Sequence, residues 1–546
     1  MTGTPPSDET PSDETSGAPV AVAEPPTFAP RRDEATLVER LRVPMPSRGL
    51  VGWIGPLVVT LIGGLLRFVD LGRPHDIIFD ETYYPKDALS LLKYGYEQKF
   101  VENANALILG SNGDWRSLNL FTDAPNFVVH PPFGKWTIAV GEWLFGATPF
   151  GWRFSVAVLG TLSILMVARI TRRLTRSDLI GTLAGLLLAV EGMHLVLSRT
   201  GLLDMVLTFW VIAAFGFLLL DRDRTRSRLA SMVERDGLAS VATTWGPRLG
   251  VRPWRWAAAV SLGLACGVKW SALWFIAFFV LLTLLWDVSA RRVIGVGRPW
   301  RATILRDAPV TGLSMVAIAA VVYLSTWTGW LLTSGGYDRA WADTQPASWI
   351  PAALRSLWHY HAEAWHFHVN LDSAHPYSSN ALSWPFQARP TSFYYQGIKD
   401  HSQGCDIDSC SSAVTALGNP LIWWFGIVAV LYQAWRWVGR RDWRSGAVVV
   451  AIAAGWIPWL LYLDRTIFTF YTVVISPFLV MAVAMTLGAI LGPADAPVRR
   501  RRDGAVAVAF LVLAMVVAGW WFYPVWTGEV IPYDAWRMRM WFSTWV

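Results

Sequence analysis

The chain has 546 residues, of which 53% are hydrophobic and only 16% charged, with 33 tryptophans and a formal net charge of +7. Soluble domains carry about 25% charged residues, so a water-facing globule of this composition is excluded and a membrane protein fits. Nucleic acid is not the reading of the positive charge. It sits in short clusters between apolar runs, at Arg172-Arg173, Arg222 to Arg228, Arg291-Arg292, Arg440-Arg441 and Arg499 to Arg502, with no basic face carrying interleaved aromatics.

Residues 1–48 read as a disordered cytoplasmic tail. Met1 to about Arg31 is rich in Pro, Thr, Ser, Asp and Glu, a composition with too little apolar surface to order itself. No basic-then-apolar start marks a cleavable signal peptide. Arg31, Arg32, Arg40, Arg42 and Arg48 precede the first apolar run and place this end inside by the positive-inside bias.

From residue 49 onward, apolar stretches near the ~20 residues that cross a bilayer predict about eleven spans. They cover roughly 51–68, 154–170, 179–197, 205–220, two short spans within 256–286, then 310–331, 421–437, 447–463, 467–491 and 505–522. The 256–286 stretch is split at Gly267-Val-Lys-Trp-Ser271 because both flanks are basic and belong inside, which puts Lys269 at an outer turn. The resulting fold class is an all-α polytopic protein of the cell membrane. Its N-terminus is cytoplasmic, and loops 70–152 and 333–419 and the C-terminal segment 523–546 are extracytoplasmic. Within the first loop, the short apolar run Pro131 to Phe145 predicts a helix lying at the interface. Long loops rich in Trp, Tyr and His point to function. The inverted repeat expected of many transporters does not show in the sequence.

Cys266 lies in an apolar run and reads as a small core residue. Cys405 and Cys410 share the loop Cys-Asp-Ile-Asp-Ser-Cys with no His at zinc spacing. Outside the cytoplasm that favours a small disulfide ring over a metal site.

The candidate chemistry sits on the outer side. Phe79-Asp80-Glu81 holds adjacent carboxylates, which suit a general base whose pKa a neighbouring charge raises; a solvated loop is the plainer reading of three residues alone. In His130-Pro-Pro-Phe-Gly-Lys135 the prolines suit a helix start, and His130 and Lys135 either meet a lipid phosphate or snorkel. Arg153, Arg199, Lys269 and Arg465, with Asp204 beside them, are outer-side charges. They converge on one anionic ligand, phosphate being the natural choice, or form structural pairs such as Arg199 with Asp204. The second loop carries His359-Tyr-His361, His366-Phe-His368, His375-Pro-Tyr-Ser378 and Trp384-Pro385. His366 and His368 would share one face of a strand, but packing is the better account and no metal site is assigned.

The order of these motifs, including Ser198-Arg-Thr-Gly-Leu-Leu-Asp204 between two spans and then Gly-Val-Lys-Trp, resembles the GT-C membrane glycosyltransferases that use polyprenyl-phosphate sugars. Within that group, Phe79-Asp-Glu81, His130 to Lys135, His375 to Ser378 before Trp384-Pro385, and Pro458-Trp459 before Arg465 resemble the protein O-mannosyltransferases. The resemblance runs from about Val51 to Trp526. It departs from the eukaryotic members in one respect: loop 333–419 is too short for their soluble MIR module, so a bacterial type fits better. The resemblance implies a GT-C bundle that transfers mannose from polyprenyl-phosphate-mannose to Ser or Thr of secreted or membrane proteins, with inversion. Asp80 would be the base and Glu81 its helper. Arg153, Lys269, Arg199, Arg465, His130 and Lys135 would serve the donor phosphate and sugar, and Asp204, His375, Tyr377 and Trp384 the acceptor or loop. No cofactor is required, a divalent metal stays open, and membrane lipid and the secretion translocon are the surroundings. The rivals are a GT-C transferase moving another sugar, such as aminoarabinose, to lipid or glycan, a lipid or sugar transporter, and a structural membrane subunit.

Overall fold

A computed structural model of the chain describes residues 2–3, 34–42, 44–45, 49–399 and 401–546. The first principal helices are α1 (Glu34–Leu41), α2 (Val51–Phe68), α3 (Tyr84–Tyr94), α4 (Phe133–Phe145) and α5 (Pro149–Thr175). Next come α6 (Asp178–Ala189), α7 (Gly192–Ser198), α8 (Asp204–Asp236), α9 (Pro253–Cys266), α10 (Ala272–Val293), α11 (Pro299–Thr326) and α12 (Ala352–Val369). The last are α13 (Pro420–Arg440), α14 (Trp443–Leu461), α15 (Ser476–Leu491), α16 (Val498–Thr527) and α17 (Tyr533–Arg539).

Eight of these, α2, α5, α8, α10, α11, α13, α14 and α16, are long and apolar enough to cross a membrane unaided. The pair α6 and α7, bent by 62°, makes a ninth when taken together as one broken span. The remaining two predicted spans are the shorter helices α9 and α15, of 14 and 16 residues. Each of the eleven predicted spans thus has a helix at its place, and the break at Gly267 separates α9 from α10 as expected. The chain is a multi-pass membrane protein with a helical bundle. The helix expected within Pro131 to Phe145 forms as α4, burying Ile138, Ala139 and Glu142 and exposing Val140, Trp143 and Leu144.

One segment departs from the expected tail. Glu34–Leu41 is helical, and Leu37 and Leu41, four apart and so on one face, bury against Leu229, Ala230 and Val233 of α8. Arg42 pairs with Glu234 at 3.0 Å. Most of the rest of the expected tail lies outside the described residues.

The bend between α6 and α7 shows how the bundle tolerates a broken helix. Backbone groups freed in an apolar bundle must find internal partners. Arg67, fully buried on α2, donates to the carbonyls of Leu188 and Ala189 at 3.2 Å each, and to His194 Nδ1 at 2.9 Å. Glu191 accepts from the N–H groups of Met193 and His194 at 3.1 and 2.8 Å and from the Trp423 indole at 3.0 Å. One buried cation closes a helix C-terminus and one buried carboxylate closes the next N-terminus.

Two small sheets lie in the loops. β1 (Gln98–Phe100) pairs antiparallel with β2 (Phe121–Pro125), and β3 (Thr391–Lys399) with β4 (Ser409–Ala416), which also pairs with β5 (Val530–Pro532). The β3–β4 connection is closed by a Cys405–Cys410 disulfide, with Cα atoms 5.9 Å apart. The two long loops meet each other: Phe79 stacks on Phe393 at 4.4 Å and the Tyr360 hydroxyl donates to Val128 O at 2.9 Å. At the far ends of the helices, Arg173 and Arg176 reach Asp223, Arg252 bridges Asp221 and Asp287, and Arg291 pairs with Asp307. The long loops and the basic clusters therefore occupy opposite ends of the bundle.

Arg67→Met is expected to lower the thermal stability of the protein in detergent by roughly 2 kcal/mol or more, because it orphans two buried carbonyls. Tryptophan fluorescence during heating reads this, and an unchanged melting curve would contradict the assigned role.

Candidate active site

Asp80 is held by the chain on either side of it. Phe79–Thr82 forms one tight turn, and the Ile78 N–H donates to Glu81 Oε2 at 3.1 Å. Phe79 has φ of 48°, a left-handed conformation costly for a bulky residue. It is held there by rings, stacked on Phe393 and edge-on to Phe470 at 5.5 Å.

Glu81 points the other way and is fully buried against Arg153, itself fully buried. The pair is bidentate, with Arg153 Nε and Nη2 each 2.8 Å from a Glu81 oxygen. The other guanidinium donors reach the carbonyls of Pro74 at 2.9 Å, Asp76 at 3.0 Å and Leu71 at 3.3 Å. Glu81 Oε1 also accepts the N–H of Gly201 at 2.8 Å. A side chain at Gly201 would come within 2.8 Å of the Trp152 ring, which explains a glycine in that motif.

The other motifs lock onto the same frame. Arg199 donates to the carbonyls of Arg67 and Val69 at 2.7 Å and Asp70 at 2.8 Å, closing the end of α2 where the loop to Asp80 departs. Asp204, the first residue of α8, receives Lys269 Nζ at 2.8 Å. The N–H of Phe133, in the Pro-Pro motif, donates to Gly267 O at 2.9 Å. Lys135 is buried in an ion pair with Glu97.

Asp80 therefore faces a cluster in which Lys269 and Asp204 are its charged neighbours and the Tyr84 hydroxyl donates to it. Burial pushes its carboxyl up to about 6, with Lys269 and Tyr84 opposing and Asp204 adding to the rise. Tyr471 closes the cluster, within electrostatic reach of Asp80, Asp204 and Arg465, its ring 5.5 Å from Lys269 Nζ. His130 and His368 lie with ring centroids 5.2 Å apart, their planes tilted, and both sense Lys269 and Arg465. Burial first, and then these cations, holds His130 well below the usual histidine range. His368 is lowered to about 4, chiefly by burial. The cations thus face neutral imidazoles.

Several expectations change. Arg153 and Lys135 are not available to a phosphate, since each is fully enclosed with its carboxylate, whereas Lys269, paired with Asp204, keeps part of its surface open. Arg199 is engaged by backbone carbonyls and does not pair with Asp204. Among the described residues, Arg465 alone of the five outer cations singled out meets neither a carboxylate nor a carbonyl: Nη2 meets His368 Nδ1 at 3.4 Å and its buried Nε meets none. Trp384 is fully buried, donates to Ser379 Oγ at 2.9 Å and packs on Tyr471 at 6.2 Å, so it supports the site from behind. His375 and Tyr377 are placed further out, His375 against Phe468 at 4.9 Å. His366 and His368 sit on the helix α12 and not on a strand, and His368 Nε2 is taken by Val129 O at 2.9 Å. Among the described residues one trio, Asp338, His359 and Glu363, has metal-compatible spacing. His359 lies two residues from His361 and hence on the other side of α12.

Sequence reasoning missed Tyr84, Tyr471 and His368. Tyr84 stands four residues after Asp80, and His368 reads in the sequence with His366 as a strand-borne pair, with packing the better account, and not as a neighbour of the cations. It also missed a groove of about 590 Å³ lined by Cys266, Trp270, Leu273, Val316, Ala319, Tyr323, Trp358, His361 and Trp365. The groove begins beside Lys269: the Trp270 indole donates to the Tyr323 hydroxyl at 3.1 Å, and that hydroxyl is bonded to His361.

The raised Asp80 pKa fixes a sign. The folded protein holds this proton more tightly than the unfolded chain, so stability falls as pH rises from about 4 to about 6 and stays reduced above that. Asp80→Asn is expected to melt at or above the wild-type temperature at pH 8, with the difference shrinking as the pH falls from 6 toward 4. A strongly destabilised variant at pH 8 would contradict a carboxylate whose desolvation outweighs its neighbours' support.

Two families match the sequence. The one described as dolichyl-phosphate-mannose-protein mannosyltransferase covers residues 57–233, and the C-terminal four-TMM region of protein-O-mannosyltransferase covers residues 353–545. A polyprenol-phosphate-mannose–protein mannosyltransferase of Mycobacterium tuberculosis is 39% identical over 516 residues, 92% of this chain and 93% of its own. One from Corynebacterium glutamicum is 34% identical over 500 residues, 89% of this chain and 91% of its own. The solved S. cerevisiae protein O-mannosyltransferase Pmt1-Pmt2 complex bound to the sugar donor shares the fold, with a TM-score of 0.68 at 14% identity over 94% of each chain. The bundle is of the GT-C kind, and the chain belongs to the dolichyl-phosphate-mannose-protein mannosyltransferase family.

Proposed function

We propose that this enzyme transfers mannose from polyprenyl-phosphate-mannose to Ser or Thr hydroxyls of protein substrates, with Asp80 as the general base. The observation that carries the reading is the division of labour between adjacent carboxylates. Glu81 is consumed by Arg153, while Asp80 faces the cleft with its pKa raised to about 6. A base of that strength is ionised at neutral pH and still accepts a proton. In the proposed step the acceptor oxygen attacks the anomeric carbon and its proton passes to Asp80. The bond from that carbon to the phosphate oxygen breaks, and polyprenyl phosphate leaves. A single displacement inverts the anomeric centre.

The leaving phosphate gains charge as this bond breaks. Lys269, oriented by Asp204, and Arg465, with donors to spare, supply fixed positive charge for it, and the step requires no metal. Neutral His130 supports the donor sugar without adding charge. The apolar groove that starts at Trp270 suits the prenyl chain, which has no need of a water-filled path. The site lies at the end of the bundle opposite the basic clusters. The positive-inside bias supports an extracytoplasmic site, with the N-terminus in the cytoplasm and the C-terminus outside, where acceptor chains emerge across the membrane.

The test uses purified protein, radiolabelled polyprenyl-phosphate-mannose and a Ser/Thr/Pro-rich peptide. Label is expected on the peptide, persisting in excess EDTA and falling by at least about a hundredfold in Asp80→Asn. Label found only on lipid or glycan would overturn the acceptor. Full activity of the variant would overturn the base, and restoration by Mg²⁺ or Mn²⁺ of activity lost to EDTA would move the leaving-group charge to a metal.

A further inference from the structure

We propose that a second cleft, between the β3–β4–β5 sheet and α17, docks the acceptor polypeptide and selects extended, proline-containing chains. The inference rests on the protein-acceptor reading above and adds the acceptor's conformation and its binding surface.

The cleft has a volume of about 520 Å³ and is walled by Tyr377, Tyr395, Tyr533, Trp536 and Trp545, with Arg537 beside them. Tyr395 and Trp536 lie 5.0 Å apart between ring centroids, and Tyr533 and Trp536 5.6 Å. Tyr395 and Tyr533 remain 48% and 41% exposed and present their rings to an incoming chain, while Trp536 and Trp545 are buried behind them and form the floor. Aromatic-lined grooves of this kind bind polyproline-II segments, whose stiffness reduces the entropy lost on docking. Such a segment leaves its carbonyls without internal partners, and the Arg537 guanidinium supplies donors for them.

The link to Asp80 is short and passes through a single ring stack. β3 carries an irregularity between Ser392, opposite Thr415, and Tyr394, opposite Val414, which makes Phe393 an extra residue. A bulge turns a side chain that regular alternation would aim elsewhere. Ser392 and Tyr395, with their partners Thr415 and Ala413, face the cleft. Phe393 faces the other way and stacks on Phe79, the residue before the base. A second path of rings runs from Tyr377 to His375 at 6.1 Å, to Phe468 at 4.9 Å and to Phe79 at 6.3 Å. A chain lying in the cleft is therefore held against the two elements that buttress the catalytic turn.

The experiment uses the full-length protein in detergent. Trp536→Ala and Tyr395→Ala are expected to raise KM for a Ser/Thr/Pro peptide by about tenfold or more, the size of a typical aromatic hot spot. Their kcat and donor KM should stay within about twofold, and Trp536→Phe should recover most of the loss. Replacing the peptide prolines by glycine should raise KM in the wild type and add little in Trp536→Ala. In parallel, a peptide bearing a photoreactive benzophenone several residues away from its acceptor serine, on the proline-containing flank, is cross-linked to the wild type; adducts are expected within 391–399 or 533–546. Unchanged peptide KM in both alanine variants, or adducts confined to other segments, overturns the cleft. If the wild type transfers no mannose, the cross-link decides alone. Adducts at the cleft would keep the docking surface and discard the mannosyl reading, and their absence would discard both.

Discussion

The site depends on one buried ion pair, Glu81 with Arg153. Taking two charges out of water costs several kcal/mol each, and a pair this enclosed is held only if the remaining donors and lone pairs are met. Here they are: Arg153 also binds three carbonyls of the loop that leads to the site, and Glu81 also binds two backbone N–H groups. The result is a loop pinned along its length from Leu71 to Glu81. Because Asp80 is the next residue to an immobilised carboxylate, its own carboxylate is fixed in direction without being neutralised by a partner of its own. Two adjacent acids in different surroundings acquire different roles, one structural and one chemical.

The same logic extends outward through contacts between motifs that are far apart in sequence. Gly201 touches Glu81, Asp204 of the same segment holds Lys269, and Gly267 two residues earlier receives Phe133. Each motif supplies one group to the cleft and one to its neighbour's backbone. This also explains why so many outer-side cations turn out not to face a ligand. At a membrane boundary a polar side chain needs a partner, and Arg153, Arg199 and Lys135 have taken theirs from within the protein. The positive charge left for an anion is then Lys269 and Arg465, set among neutral imidazoles that do not compete for it.

The sequence made the bundle legible because apolar runs and basic clusters are large signals, each about twenty residues or several charges strong. Even the split at Gly267 followed from the sidedness of its flanks. Glu34–Leu41 escaped because its signal is two leucines four apart in a polar tail, and its stability comes from docking on α8. At the site, Asp80, Lys269 and Arg465 were legible as charges on the outer side, but which cations were already committed was not, since that depends on carbonyls and carboxylates brought close by folding. The aromatic and histidine residues were harder still. Tyr84, Tyr471 and His368 have many equivalents in a chain with this many rings, and only their convergence on Asp80 and Lys269 sets them apart. The docking cleft was invisible for a similar reason: it joins β3 to a C-terminal helix more than a hundred residues away, through a bulge that no local pattern announces.

The central claim, that Glu81 and Arg153 act as one unit to place Asp80, is tested most directly by a double-mutant cycle on the mannosyl-transfer rate with Glu81→Gln, Arg153→Met and the two combined. The account predicts that each single change lowers kcat by about a hundredfold or more, and that the double variant is no worse than either, because the second partner has nothing left to hold. Single variants that work at the wild-type rate, or losses that simply multiply in the double variant, would contradict it.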